Sequence, residues 1–307
     1  MNETKYDLLI IGLGPASITA QIYALRYNMK VLAIGGVPGG LMMESHEIRN
    51  WPGDPGVTGP ELTKKMTDQL VGMNAETLIA EVASISGAKG DFVVTTKNSD
   101  TFQAKLLLIA TGTKHSHLGL ANEDSYAGRG VTYCATCDAM FYKGKVTAVT
   151  GGGNSAITAA LYLSDICPQV YLIYRGKELK GEVAWMNELA TKANVTLIKE
   201  TNVIGLAGES KLEKIILDKP FNGETELAVS GLFVEIGSKP RNELFVALGG
   251  EVDEFGFIKV APDMSTNIPG VYAAGDLTNN SNYFRQIATA VGEGSIAADT
   301  AFKALKG

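Results

Sequence analysis

The chain has 307 residues, of which 45% are hydrophobic and 20% are charged, and its formal net charge is −6. This length predicts two domains, each with its own hydrophobic core. The acidic balance argues against a general nucleic-acid binder or a binder of anionic membranes, because both need clustered Lys and Arg. It is compatible with a basic protein partner.

Cellular location and cysteine use are predicted from the same composition. No apolar run reaches the ~18 residues of a membrane span, and the polar first residues carry no signal-peptide pattern. We therefore expect a cytoplasmic protein without a membrane segment. Three cysteines are too few for a disulfide framework, and a CxxC pair in a cytosolic protein is more typical of redox chemistry or metal binding.

A strand–helix–strand pattern opens the chain. The apolar run 6–11 predicts a strand buried on both faces, residues 18–27 predict a helix, and residues 30–34 predict a second strand. Between the first strand and the helix, GLGPAS matches the dinucleotide fingerprint. In this turn Gly12 permits the tight bend, and Gly14 lets the backbone approach a pyrophosphate at the helix N-terminus.

The second strand ends in Gly35-Gly36 and lacks the acidic residue that usually binds a ribose there. Ribose contacts must therefore come from elsewhere, such as the loop 35–40. Beyond this loop the sequence predicts a turn-rich segment at 50–56, a helix at 60–72, and strands at 92–96 and 101–109. The last strand ends in Ala110-Thr111-Gly112, where Gly112 allows a close approach of backbone.

The strand–helix–strand pattern repeats from Lys145. Residues 146–150 and 170–174 predict strands around a helix at 157–166, and the turn GGGNSA from Gly151 matches GxGxxA. Further strands are predicted at 231–237, 256–260 and 268–276, followed by an alanine-rich helix at 285–306. This order predicts an α/β fold of two Rossmann-like, three-layer domains, the second inserted in the first.

Two cysteines, Cys134 and Cys137, lie between the two nucleotide patterns and are followed directly by Asp138. A CxxC pair at a helix start is an arrangement that lowers the pKa of a thiol, so we expect a redox-active disulfide. A zinc site would need a second CxxC or paired histidines, and the only other cysteine is Cys167. We therefore predict no metal. Asp138 is interpreted either as a helix-start carboxylate or as a catalytic acid.

The ordered motifs resemble those of the low-molecular-weight thioredoxin reductases, and the resemblance covers nearly the whole chain. It rests on GLGPAS at Gly12, NWPGDP at Asn50, ATG at Ala110, CATCDAMFY at Cys134, GGGNSA at Gly151, GVYAAGD at Gly270 and RQIATAVGEG at Arg285. The resemblance implies an FAD-binding domain at 1–113 and 245–307, and an NAD(P)-type domain at 114–244 that carries the CxxC. It also implies a homodimer that passes electrons from FAD through the dithiol to thioredoxin or a similar redoxin.

The resemblance also implies roles for individual residues. Cys137 is similar to the cysteine that faces the flavin, Cys134 to the cysteine that attacks the partner disulfide, and Asp138 to the acid that moves protons. The implied FAD-binding residues are Gly12, Gly14, Pro15, Ala16, Gly35, Gly36, Gly39, Gly40, Leu41, Asn50, Val82, Ala110, Thr111, Gly112, Gly275, Asp276, Arg285, Gln286 and Ile287. The implied NADP-binding residues are Gly151, Gly153, Asn154, Ser155 and Arg175.

The segment after the second nucleotide unit departs from the family pattern. The family has His-Arg-Arg followed by a further Arg, whereas this chain has Tyr174-Arg175-Gly176, with Lys180 at the place of the last arginine. Planar Arg forks hold a 2′-phosphate best, and Lys supplies only a point charge. This loss leaves the electron donor open between NADPH and another carrier such as ferredoxin or a reduced deazaflavin. In the FAD loop, Leu41 replaces the usual Gln and would make that contact apolar.

The sequence therefore predicts a flavin-dependent, thioredoxin reductase-type disulfide oxidoreductase whose donor is ferredoxin or another carrier that is not NADPH. Three alternatives stay open. The first is an ordinary NADPH-dependent thioredoxin reductase. The second is an FAD-dependent oxidase of small dithiols. The third is a flavin- or nucleotide-binding sensor without turnover.

Overall fold

The computed structural model describes residues 5–54 and 56–306, so the polar residues 1–4 and Pro55 of the predicted loop 50–56 lie outside the described residues. The chain divides into two compact units. Unit 1 comprises Met1–Lys114 and Lys239–Gly307, and unit 2 comprises His115–Ser238. The assignment of these units as FAD-binding and NAD(P)-type domains stays a prediction.

The strands, numbered in chain order, are β1 Lys5–Ile11, β2 Val31–Gly35, β3 Glu76–Ile79, β4 Val82–Ala88, β5 Asp91–Thr96, β6 Thr101–Ile109, β7 Thr113–His115, β8 Val131–Thr132, β9 Val146–Thr150, β10 Gln169–Tyr174, β11 Val195–Lys199, β12 Val203–Ala207, β13 Lys214–Phe221, β14 Glu224–Ala228, β15 Gly231–Val234, β16 Ser238–Pro240 and β17 Val271–Ala273. The α-helices are α1 Pro15–Arg26, α2 Gly59–Gly72, α3 Glu123–Tyr126, α4 Ala135–Asp138, α5 Asn154–Ile166, α6 Val183–Leu189, α7 Glu243–Ala247 and α8 Ile287–Lys306. Short 3-10 helices cover Gly40–Glu44, Ala139–Tyr142 and Ser281–Tyr283.

Unit 1 is built on a seven-stranded sheet in the order β3-β2-β1-β6-β5-β4, with β17 also paired to β6. Strand β1 is parallel to β2 and to β6, and its apolar side chains alternate between the two faces of the sheet. Leu8 and Ile10 pack against alanines of α1 and α8, whereas Leu9 and Ile11 pack against a second core that contains Phe92 and Phe245. The continuous apolar run therefore reflects a strand buried on both faces.

Unit 2 is built on a five-stranded parallel sheet in the order β11-β10-β9-β15-β8, with a separate antiparallel sheet β12-β13-β14. Helix α5 covers one face of the parallel sheet through Ile157 and Leu161, which share a core with Val149. The carboxyl ends of parallel strands meet at one edge of a sheet. The chain after β8 and the glycine turn after β9 therefore lie at the same edge of unit 2. Strands β7 and β16 form a separate two-stranded sheet.

The α/β prediction is confirmed, and three element predictions need correction. Residues 256–260 form no strand, because Gly256 has φ +86° and the Asp253 carboxylate accepts the N–H groups of Phe255 and Phe257 in a turn. Only Ile258 bridges, to Val252 and Thr278. The strand predicted at 268–276 shortens to Val271–Ala273, between glycines with positive φ. The strand predicted at 231–237 ends at Val234.

The two helices after the nucleotide turns begin earlier than predicted. Helix α1 begins at Pro15 and α5 at Asn154, so the turn residues themselves form the first helical turn. Within the described residues, no helix combines the length and apolar character that a membrane crossing needs.

Candidate redox and nucleotide sites

The predicted redox pair is a disulfide in unit 2. Cys134 and Cys137 are joined, with their Cα atoms 5.3 Å apart. Strand β8 leads into Cys134, and the single helical turn α4 carries Cys137 and Asp138. Cys134 is half-buried and Cys137 is exposed. The structure thus confirms the disulfide, and residue Cys137 is more exposed than residue Cys134.

The two sulfurs differ in their hydrogen bonds. The backbone N–H of Cys137 donates to Sγ of Cys134 at 3.1 Å. This amide is therefore placed to donate a hydrogen bond to the sulfur of Cys134 during thiol–disulfide exchange. The greater exposure of residue Cys137 would favour Cys137 as the attacking cysteine, whereas the amide donor at the Cys134 sulfur favours Cys134.

Thr132 and Asp138 form a polar pair beside the disulfide. The Thr132 hydroxyl donates to Oδ2 of Asp138 and accepts the backbone N–H of Cys134 at 3.3 Å. Thr132 is buried in β8 and lies level with Phe233 of the neighbouring strand. Asp138 is close enough to Tyr142 that burial and the Asp138 charge together raise the pKa of that phenol. The sequence patterns did not identify Thr132.

A second polar network supports the residue before Cys134. The Tyr133 hydroxyl donates to Oε1 of the buried Glu123 at 2.6 Å and lies 3.0 Å from Nδ1 of His117. Glu123 also accepts the backbone N–H groups of Leu118 and Gly119. Burial raises the pKa of Glu123, but these hydrogen bonds outweigh it and leave the pKa below its usual value. The network ties the loop before α3 to the redox segment, and no sequence motif marked it.

Unit 2 also contains a cysteine outside the disulfide pair. Cys167, the remaining cysteine, is a buried free thiol directly after α5. Burial raises its pKa, which makes it a poor nucleophile. Across the part of the chain that the structure describes, no group of three or more His, Cys, Asp or Glu side chains is placed to hold a metal ion.

The first glycine turn has the shape that a phosphate needs. A Cβ added to Gly12 would lie 2.1 Å from the carbonyl oxygen of Ala110, so this position requires glycine. A Cβ added to Gly14 would meet no heavy atom within 4 Å, so the space above the turn is open. No side chain caps the N-terminus of α1, so the N–H groups of its first turn have no side-chain acceptor at the cap.

The predicted residues of the loop 35–41 lie against this turn. The N–H of Gly39 donates to the carbonyl of Leu13 at 2.8 Å, and a Cβ on Gly40 would lie 3.4 Å from Cα of Gly14. Gly35 packs against Gly12 and Leu13, whereas a Cβ added to Gly36 would only contact the side chain of Glu81, at 3.9 Å. Leu41 is half-buried in the 3-10 helix that follows Gly40. These predicted residues therefore lie together.

Thr111 and Gly112 follow strand β6, and Val82 begins strand β4. The hydroxyl of Thr111 donates to the carbonyl of Arg241 at 2.6 Å, and Gly112 accepts the N–H of the same residue. Gly112 has φ +62°, which explains the glycine. Val82 is the first residue of β4, two positions after Ala80, whose N–H donates to the carbonyl of Gly35.

The loop after β17 carries a mostly buried carboxylate. Burial raises the pKa of Asp276 to about 6; the positive charge of Arg285 opposes this shift and Glu293 adds to it. Glu293, which the sequence did not single out, accepts hydrogen bonds from the Gly275 N–H and from the hydroxyls of Thr278 and Ser281. It fixes the loop that presents Asp276.

The start of α8 brings distant segments together. Nδ2 of Asn50 donates to Oε1 of Gln286 at 2.9 Å, although 236 positions separate them. The Arg285 guanidinium lies 4.0 Å from the centre of the Phe257 ring, and its buried Nε has no hydrogen-bond partner among the described residues. Ile287 packs against the small core around Met42. These predicted residues are therefore positioned by contacts within unit 1.

The second glycine turn, in unit 2, is partly covered. A Cβ on Gly151 would lie 2.1 Å from the carbonyl oxygen of Glu235, whereas a Cβ on Gly153 would face open space. The ring of Tyr174 lies against the turn, 2.4 Å from a Cβ added to Gly152 and 2.6 Å from one added to Gly176. Tyr174 thus packs over the turn at the point where the family pattern has a histidine.

The loop after β10 is held onto the same turn. The N–H of Lys180 donates to the carbonyl of Gly152 at 2.7 Å, and Asn154 exchanges two hydrogen bonds with Glu182. Ser155 is exposed in the first turn of α5, and Arg175 is exposed after β10. Arg175 and the exposed Lys177 and Lys180 are the cationic side chains of this loop.

Comparison with known proteins identifies the family. The family model described as pyridine nucleotide-disulphide oxidoreductase matches residues 6–294. The thioredoxin reductase of Mycoplasma genitalium is 37% identical over 298 residues, which cover 96% of this chain and 94% of that protein.

Solved structures agree. The thioredoxin reductase of Lactococcus lactis has a TM-score of 0.92 and 37% identity, covering 97% of this chain and 98% of that one. The ferredoxin-flavin thioredoxin reductase of Clostridium acetobutylicum has a TM-score of 0.54 and 33% identity, covering 98% of each chain. The chain therefore belongs to the pyridine nucleotide-disulphide oxidoreductases and, within them, to the low-molecular-weight thioredoxin reductase family.

Proposed function

We propose that this protein reduces the disulfide of thioredoxin or a similar redoxin, with FAD held in unit 1 as its internal electron carrier. The single observation that carries the proposal is the Cys134–Cys137 disulfide, placed beside Asp138 in a chain that also builds an open dinucleotide turn. The family membership supports the same activity.

The residues of unit 1 fit FAD. Open space above Gly14 and the free N–H groups of α1 suit a pyrophosphate. The mostly buried Asp276 lacks a hydrogen-bond donor among the described residues and suits a ribityl hydroxyl. The buried Nε of Arg285 is a donor that still needs an acceptor. When bound, FAD supplies the electron pair that reduces the disulfide.

Each cysteine has a defined part in the exchange. Two electrons and two protons convert the Cys134–Cys137 disulfide into two thiols, with Asp138 exchanging protons with them. The Cys134 thiolate then attacks one sulfur of the partner disulfide, and the other partner sulfur leaves and takes a proton. Cys137 attacks the mixed disulfide, which releases the second partner thiol and re-forms the Cys134–Cys137 bond. The N–H of Cys137 at Sγ of Cys134 supports this division of roles.

Exposed apolar side chains next to the disulfide suit a protein partner. Met140 is 57% exposed and Phe141 is 73% exposed, directly after Asp138. Exposed apolar groups beside a reactive site mark an interaction surface, and aromatic residues contribute most to such contacts. A small dithiol is too small to cover both side chains, so this exposed surface favours a redoxin as the substrate over a small dithiol.

We further propose that NADPH is a poor donor and that ferredoxin or another low-potential carrier reduces the protein. Arg175 is the only arginine after β10 in the segment where the family has three, and the Tyr174 ring covers Gly152 and Gly176. Each lost charge-assisted contact costs ~1.5–3 kcal/mol, which is about one to two powers of ten in affinity. The open space at Gly153 favours the ordinary NADPH enzyme instead.

The donor is tested by anaerobic stopped-flow mixing of the oxidised holoprotein with NADPH, NADH and reduced ferredoxin, following the flavin band. We expect fast bleaching with ferredoxin and slow bleaching with either nucleotide. Fast bleaching at micromolar NADPH would establish the ordinary NADPH enzyme.

We also infer a cytoplasmic homodimer. A cavity of about 440 Å³ in unit 1 is lined by α1, α2 and Trp51, and Tyr23 at its rim is 39% exposed. An apolar surface of this kind suits a second copy of the chain. The buried free thiol of Cys167 suits a reducing compartment. Light scattering on the purified holoprotein tests the dimer, and a monomeric mass would contradict it.

A further inference from the structure

Thr132 connects the two groups that the proposed chemistry uses. A threonine hydroxyl has one proton, and here that proton goes to Oδ2 of Asp138. Its lone pairs are left for the backbone N–H of Cys134, 3.3 Å away. The donor and acceptor of each hydrogen bond are therefore fixed: the Cys134 amide donates to Thr132, and Thr132 donates to Asp138. Thr132 is only 4% exposed, so water does not compete for its hydroxyl.

We propose that Thr132 is a positioning residue, whose hydroxyl donates to the Asp138 carboxylate beside Cys134, so that removing this donor shifts the pH dependence of proton exchange between Asp138 and the cysteines. This inference rests on the proposed function. A hydroxyl that donates to a carboxylate stabilises the charged form, and it loses its acceptor there when that oxygen is protonated. The β-branched side chain on a buried strand has few rotamers, so the hydroxyl keeps its aim.

Other groups near Asp138 do not supply this donor. Tyr142 faces Asp138, but it is buried with a raised pKa and its ring lies against Gly231. The Lys145 ammonium lies 5.5 Å from the centre of the Tyr142 ring and donates to the carbonyl of Phe141. Among the described residues, the Thr132 hydroxyl is the side chain that donates a hydrogen bond to Asp138.

The test compares Thr132→Val, which keeps the shape and loses the hydroxyl, with Thr132→Ser, which keeps the hydroxyl. Thr201→Val is the matched control, because Thr201 is also a buried threonine of unit 2 and donates to the carbonyl of Lys199, outside the redox segment. The pKa of Asp138 is read directly from the carboxyl ¹³C shifts of the oxidised holoprotein. The pH profile of thioredoxin reduction is recorded for the same variants. The part of the profile that disappears in Asp138→Asn is the part that depends on the ionisation of Asp138.

We expect Thr132→Val to raise the pKa of Asp138 by about half a unit to one unit, which is the effect of losing one hydrogen bond to a charged group. In the pH profile of thioredoxin reduction, the part that disappears in Asp138→Asn should move to higher pH by a similar amount. Thr132→Ser should restore the wild-type values, and Thr201→Val should leave them unchanged. If Thr132→Val does not fold, Thr132→Ala is expected to give the same shift.

An unchanged or lower pKa of Asp138 in Thr132→Val or Thr132→Ala would overturn the inference, as would an equal shift in Thr201→Val. The proposed function fails separately. A wild-type protein that never reduces thioredoxin, but whose Asp138 pKa still rises in Thr132→Val, would remove the activity and keep the positioning role.

Discussion

The carboxylate of Glu293 accepts the backbone N–H of Gly275 at 2.8 Å, which joins helix α8 to the end of strand β17. The same carboxylate accepts the hydroxyls of Thr278 and Ser281. Ser281 begins a run of three residues with positive φ, a conformation that costs non-glycine residues free energy. Glu293 therefore holds a strained loop in the position that presents Asp276.

Replacing Glu293 by Gln is expected to weaken FAD binding about tenfold and to lower the free energy of unfolding by ~1–3 kcal/mol. The amide group of Gln would place donors against the three donors that now face the carboxylate. Fluorescence titration with FAD and thermal melting measure the two effects. Glu254→Gln, at an exposed position of the same unit, is the control. Equal FAD affinity in the two variants would contradict the role of Glu293.

FAD affinity is expected to depend on the ionisation of Asp276. Because burial raises its pKa to about 6, the FAD-free protein loses stability as the pH rises from about 4 through 6, where the folded carboxyl becomes charged. A ribityl hydroxyl that donates to the charged carboxylate offsets this loss. FAD should therefore bind about tenfold more tightly at pH 7 than at pH 5, and Asp276→Asn should abolish the pH dependence. A flat profile in the wild type would argue against this contact.

Phe141→Ala is expected to raise the KM for thioredoxin about tenfold, because the exposed ring would be buried at the interface. Reduction of the flavin should be unaffected. The matched control is Phe255→Ala, which removes a 65% exposed phenylalanine from unit 1. Steady-state kinetics with thioredoxin measure the effect. If both variants raise the KM equally, Phe141 is not a specific contact.

Introducing the family arginine at position 176 should fail alone and succeed with two further changes. A side chain on Gly176 would collide with the Tyr174 ring, so Gly176→Arg should be destabilised. Combining Gly176→Arg with Tyr174→His and Lys180→Arg should relieve the clash and raise the affinity for NADPH at least tenfold. Calorimetric titration with NADPH measures the gain. If the triple variant gains no affinity for NADPH, this loop is not the cause of poor NADPH use.

Local patterns predicted the frame of the molecule but not its supporting contacts. The run 6–11 and the turns at Gly12 and Gly151 are short-range signals, and β1, α1, β9 and α5 were found with errors of a few residues at their ends. The strand expected at 256–260 was wrong, because the Asp253 turn outweighs β-propensity there. Thr132, Glu123 and Glu293 were missed because their partners lie in other elements, and a single sequence does not reveal such pairs.

The central claim is that electrons leave the protein through Cys134 and Cys137. It is tested without a protein or nucleotide donor by photoreducing the FAD-loaded protein under anaerobic conditions, with a catalytic deazaflavin and EDTA as the sacrificial source of electrons. One equivalent of oxidised thioredoxin is then added and the mixture is quenched with a thiol label. The reduced wild type should yield two new thiols in thioredoxin per chain. Cys134→Ser and Cys137→Ser should yield no fully reduced thioredoxin, although both keep FAD.

The two cysteine variants separate the assigned roles in the same experiment. Cys137→Ser should trap thioredoxin in a mixed disulfide with Cys134, visible as a covalent adduct on non-reducing gels, and Cys134→Ser should trap none. An adduct formed only by Cys134→Ser would reverse the roles of the two cysteines. Two new thiols in thioredoxin from either serine variant, or none from the wild type, would contradict the account.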